Sequence, residues 1–99
     1  MVTEALLVRL EAKPTKTQEV AELLEKALPM VQDEPATTAW FAVRFGVTSS
    51  GIFDAFPNEE GRQAHLAGKI AQALKDNDYL FEGTPEIETA DVLASKLPG

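Results

Sequence analysis

The sequence predicts an α+β fold in the order βαββαβ, a four-stranded antiparallel sheet with two main helices on one face. Three observations lead there. An alternating apolar segment near the N-terminus is followed by a stretch of helical period, two further strand-like segments sit a short loop apart, and a second amphipathic stretch precedes a closing strand. Ninety-nine residues are enough for a single domain spanning residues 1–99 with its own core, and too few for two.

The first strand is expected at Thr3–Ala12, with Leu6, Val8 and Leu10 on one face and Ala5, Leu7, Arg9 and Glu11 on the other. Lys13-Pro14 ends it. Thr15 and Gln18 have capping-box spacing, and Val20, Leu23, Leu24, Ala27, Leu28 and Val31 form the stripe of the first helix. Pro29 cannot donate to the carbonyl of Glu25, so a kink or loosened last turn is expected before Asp33-Glu34-Pro35 closes the segment.

The second strand is expected at Thr37–Gly46. Phe41, Val43 and Phe45 read as its core face, which assigns Trp40 and Arg44 to the opposite face. Val47–Gly51 is turn-like and Gly51–Phe56 is the partner strand, making an antiparallel hairpin. After Pro57, Asn58 is the N-cap of the second helix, with Glu59 and Glu60 in its first turn and Leu66, Ala67, Ile70, Ala73 and Leu74 as its stripe. Tyr79, Leu80 and Phe81 form an apolar plug in the less regular Asp76–Gly83. Glu86–Ser95 is the last strand.

With right-handed crossovers this order gives the ferredoxin-like plait, with the strands arranged fourth, first, third, second. Its second sheet face is left bare and here is too apolar for water, so a second copy of the chain is the expected cover. Read in that spatial order, Asp91, Arg9, Asp54 and Arg44 alternate in sign, which suggests a polar band on one face of the sheet.

The formal net charge of −7, from sixteen acidic and nine basic residues, argues against nucleic acid as a partner. Without cysteine there is no disulfide, thiolate zinc site or thiol nucleophile. No apolar run approaches the ~18 residues of a membrane span, so a soluble, cytoplasmic protein with no membrane partner is expected. Phosphate loops, metal-spaced histidines, nucleophile elbows and dinucleotide fingerprints are lacking, and no metal or cofactor is expected. The acidic residues Asp76, Asp78 and Glu82 lack the spacing of a calcium loop and read as a solvated edge.

His65, the only histidine, is the candidate general base or hydrogen-bonding group, because it alone titrates near neutrality without special help. On a continuous second helix it falls almost opposite the apolar stripe, beside Gly61, Gly68 and Gln72. Periodicity by itself therefore places it in solvent. Asp54 is an acid that could pair with it. Five of the seven aromatic residues lie in the hairpin: Trp40, Phe41, Phe45, Phe53 and Phe56. They suit either core and dimer packing or a pocket for a flat organic ligand.

These residues resemble the antibiotic-biosynthesis monooxygenase domain along nearly the whole chain. The likeness runs through Leu28-Pro29-Met30-Val31 to Glu34-Pro35, Thr38-x-Trp40-Phe41-Ala42-Val43-Arg44 and Gly51-Ile52-Phe53-Asp54-Ala55-Phe56. It continues in Asn58–Leu66 and the closing Val92–Pro98. The resemblance implies a homodimer whose sheets face each other as a dimeric α+β barrel. It also implies a choice among cofactor-independent oxygenation of phenols and quinols, haem degradation, and no assigned activity. In the first group an electron-rich phenolate donates to dioxygen directly, inside a dry cavity with a base and hydrogen-bond donors. His65 matches a histidine that recurs in the second helix of many relatives. Haem cleavage is not expected, since Phe56 replaces the signature Trp of the haem degraders and no His lies toward that helix's C-terminal end. The expectation is a cofactor-free monooxygenase acting on a small phenol or quinol, with His65 catalytic and Phe41, Phe53 and Phe56 lining the cavity. The alternative is a non-catalytic dimeric module that binds an apolar small molecule or a partner.

Overall fold

A computed structural model describes residues 1–98. The elements follow in the expected order: β1 (Glu4–Glu11), α1 (Thr17–Gln32), β2 (Ala39–Arg44), β3 (Ser49–Phe56), α2 (Glu59–Leu66), α3 (Lys69–Asp76), one turn of 3₁₀ helix (Asp78–Leu80) and β4 (Glu86–Asp91). The strands form one antiparallel sheet in the order β2-β3-β1-β4, as the ferredoxin-like plait requires. The sheet is not closed on itself. No helix among the described residues is long and apolar enough to cross a membrane.

Alternation on β1 is kept. Leu6, Val8 and Leu10 are buried toward the helices, opposite Asp54, Ile52 and Ser50 of β3. Val8 and Leu10 pack with Val20, Leu24, Ala27 and Val31 of α1, Ile70 of α3, and Leu80 and Phe81, so most of the expected plug is core. Tyr79 instead stays exposed. Lys16, not Thr15, occupies the N-cap of α1 and makes no side-chain cap, while the helix runs through Pro29 to Gln32. β4 ends at Asp91, short of the expected Ser95, and Leu93 beyond it is exposed.

Three expectations need correction. The faces of β2 are reversed. Phe41, Val43 and Phe45 stand on the open face and are exposed, whereas Trp40 packs against the core on the helix side. Both faces of this strand are apolar, so residue size alone selects the wrong one. The four-charge band does not form either. Asp54 lies opposite Leu6 on the helix side, and Arg9 lies opposite Gly51 on the open face, its guanidinium 5.8 Å from the Phe45 ring centroid. Asp91 and Arg44 share the helix side with Asp54 by register, leaving Arg9 alone on the other face. Finally, the second helix is two helices. The Ala67-Gly68 break resets the helical phase, so that Gly61 and His65 point inward from α2 and Ile70 points inward from α3.

Candidate functional site

Asn58 begins α2 as expected, its Oδ1 accepting from the backbone N–H of Gly61 at 2.8 Å. One turn later His65 faces the sheet, 7% exposed, its ring centroid 5.4 Å from that of the fully buried Phe56. The buried side of α2 is lined by residues four apart, and the small one, Gly61, lets a neighbouring chain segment come close. A Cβ there would meet Cβ and the carbonyl oxygen of Ala36, each at 3.1 Å. The connection from α1 to β2 therefore lies against α2 and carries Glu34 to the ring.

His65 is held from both sides. Its Nδ1 is 2.7 Å from Glu34 Oε1, which also accepts a hydrogen bond from the Thr37 hydroxyl at 2.7 Å. Its Nε2 is 2.8 Å from Asp54 Oδ2. That second approach is an ion-pair distance, and neither Asp54 oxygen has a hydrogen-bond partner among the described residues. Asp54 is 0% exposed, and its cross-strand neighbour Trp40 likewise buries an indole N–H without a partner. Burial pulls the His65 pKa down, but the Asp54 and Glu34 carboxylates on either side of the ring outweigh it and raise the pKa above 6.5. Asp54, an acid that from the sequence could pair with His65, lies beside its ring. Glu34 was missed because it sits 31 residues away in a loop with no periodic signal; its only local sign is the Glu-Pro step that ends α1.

Beside this cluster a cavity of about 360 Å³ opens between the helices and the sheet. Leu6, Val8 and Ile52 form its floor, and Leu66, Ile70 and Ile87 are among its apolar walls. His65 is the buried polar group that reaches it, while the exposed Lys75, Asp78 and Thr84 stand at its rim. This volume suits a ligand of about one or two rings. None of the three expected lining phenylalanines contributes. Phe41 and Phe53 are cross-strand partners on the opposite face of the sheet, and Phe56 packs behind the His65 ring. The lining is aliphatic. Among the described residues no three His, Asp or Glu side chains are arranged to hold a metal ion. Glu34 and Asp54 approach opposite sides of one imidazole and do not converge on a common point.

The ferredoxin-like arrangement of sheet and helices is shared with solved structures that carry the antibiotic-biosynthesis-monooxygenase name. A Caulobacter crescentus protein provisionally named an antibiotic biosynthesis monooxygenase superposes with a TM-score of 0.79 at 16% identity, over 94% of this chain and 92% of that one. A Nitrosomonas europaea protein of the same provisional name gives 0.81 at 14% identity, over 92% and 99%. At these identities the likeness is one of fold. A second Nitrosomonas europaea protein, of unknown function, is 51% identical, with a TM-score of 0.98 over 100% of this chain and 97% of that one. The chain belongs to the family of that protein. No protein-family profile and no curated protein matches it.

Proposed function

We propose that residues 1–99 work as one domain that admits a small phenol or quinol to the cavity beside His65 and oxidises it with dioxygen, without flavin or metal. The observation that carries this reading is the apolar cavity ending on a buried, charge-paired histidine. The names of the fold neighbours support the reaction class. For a hydroquinone the reaction balances with dioxygen alone. One oxygen atom enters the ring to give a hydroxyquinone, the other leaves as water with the two hydrogens the quinol loses, and the substrate supplies the electrons. In this reading His65 acts on the bound ring, whether as base, as hydrogen-bonding group or through its charge.

The protein works as a homodimer through the open sheet face. Phe41 and Phe45 are 56% and 57% exposed there and Phe53 is 41% exposed, a contiguous apolar surface that a second copy would bury symmetrically. A second reading, a non-catalytic module that holds an apolar small molecule, is favoured by one observation: both ring nitrogens of His65 are already engaged by carboxylates. Oxygen uptake over a panel of hydroquinones, with wild type and His65→Ala, separates the two. Uptake that falls at least about tenfold in the variant supports the enzyme. Equal rates remove His65 from the reaction, and saturable binding without uptake favours the module.

A further inference from the structure

We propose that Glu34 is the positioning residue of this site: from the loop after α1 it fixes the ring of His65 and, together with Asp54, keeps a proton on each ring nitrogen. The cavity wall then presents an imidazolium with no free lone pair. The inference rests on the cavity being the ligand site for its meaning in the reaction, but not for its test.

The geometry carries it. One carboxylate oxygen lies 2.7 Å from Nδ1 in a hydrogen bond and another lies 2.8 Å from Nε2 at ion-pair distance, and two anionic oxygens this close to one ring favour a proton on each nitrogen. A neutral ring could satisfy only one of the two. The holders are also unequal. Asp54 comes from the middle of β3 and is fully buried, so it is set by the sheet. Glu34 has a side chain 22% exposed and is steadied by the Thr37 hydroxyl. It is therefore the partner that can be changed without opening the core.

The other charged groups around His65 do not alter this assignment. Arg62, one turn earlier on α2, is taken up by Glu59 and lies 3.8 Å from Glu4. Lys75 of α3 and Asp78 stand at the exposed rim of the cavity, and neither contributes to the raised pKa of the ring. A doubly protonated ring cannot take a proton from a bound phenol. In the proposed oxidation His65 would thus act as a fixed positive charge and not as the base.

Since the chain has one histidine, its imidazole gives one set of ring signals in a nitrogen-15 NMR spectrum. The full-length chain is titrated without ligand as wild type, Glu34→Gln and Glu34→Asp. The wild-type ring is expected to carry protons on both nitrogens at pH 7. Its midpoint should drop by about one pH unit, a tenfold weaker hold on the proton, in Glu34→Gln and recover by at least half that in Glu34→Asp. A role in packing alone would leave the midpoint in place. A neutral wild-type ring at pH 7 overturns the proposal even if no variant folds, and so does a Glu34→Gln midpoint equal to that of wild type. Because no turnover enters this measurement, its failure is distinct from a failure of the oxygenase reading.

Discussion

The two faces of the sheet are built from the same strands and have opposite fates. Toward the helices β3 presents Ile52, Asp54 and Phe56, all buried, including a carboxylate with no exposure at all. Toward the open side the same strand presents Phe53, in a row with Leu7 of β1 and Phe41 of β2. An aromatic patch is thus left uncovered on the open face, while the covered face holds an ion pair within its apolar core. A buried charge is costly unless paired and hydrogen-bonded. Asp54 finds its pair beneath α2 in the His65 ring at 2.8 Å. On the open face the exposed aromatic side chains supply the area that the proposed homodimer would bury.

Matched substitutions on the two faces break the comparison most sharply. Phe56→Ala removes a fully buried ring and should cost about 3–5 kcal/mol of unfolding free energy in urea. Phe53→Ala, three residues away on the opposite face, should change the stability of the isolated fold by under about 1 kcal/mol. It should instead weaken self-association in sedimentation equilibrium. If Phe53→Ala proves as costly as Phe56→Ala at concentrations where the chain is monomeric, the two faces do not differ as described.

A smaller effect separates the two carboxylates within the covered face. Glu34→Gln gives up one charge-assisted hydrogen bond at a partly exposed position and should cost about 1.5 kcal/mol. Asp54→Ala leaves the imidazolium buried against one fewer anion and should cost more, about 3 kcal/mol. Urea melts of the two single variants test the order. Equal losses would mean that burial does not distinguish the partners.

The smallest expected effect is on pH dependence. The folded-state pKa of His65 is raised above its unfolded value of 6.5, so its protonated form is bound more tightly in the native state. That contribution to stability is fully present below about pH 6.5 and is lost as pH rises through the raised folded value. Urea midpoints of the wild type should therefore fall across this window and level off above it. His65→Ala should flatten that part of the curve.

Much of the fold was legible because each element carries its own period. The first strand alternates, α1 keeps a stripe from Val20 to Val31, and the four strands take the spatial order that right-handed crossovers require. Two local ambiguities hid the site. Trp40 and Ala42 compete with Phe41, Val43 and Phe45 for the inside of an edge strand, and the less aromatic set turns toward the helices, with Trp40 half-buried against the core. Treating 59–76 as one helix carried the phase of Ile70 and Leu74 back onto His65 and turned it outward. The break at Gly68 removes that phase relation and turns it inward. Neither choice is fixed by local pattern, because each depends on what the segment packs against. Asp54 shows the same limit: a single acid in an apolar strand looks like a solvent marker until its histidine is in place.

The central claim is that ligand chemistry belongs to the helix side of the sheet, in the cavity that ends on His65. Titrating hydroquinone into the isotope-labelled chain and following its resonances tests this directly. The account predicts saturable shifts at the His65 ring and at the methyl groups of Leu66, Ile70 and Ile87, with the Phe41 and Phe53 rings unmoved. Shifts confined to Phe41 and Phe53, or none at His65 at saturating hydroquinone, would contradict it.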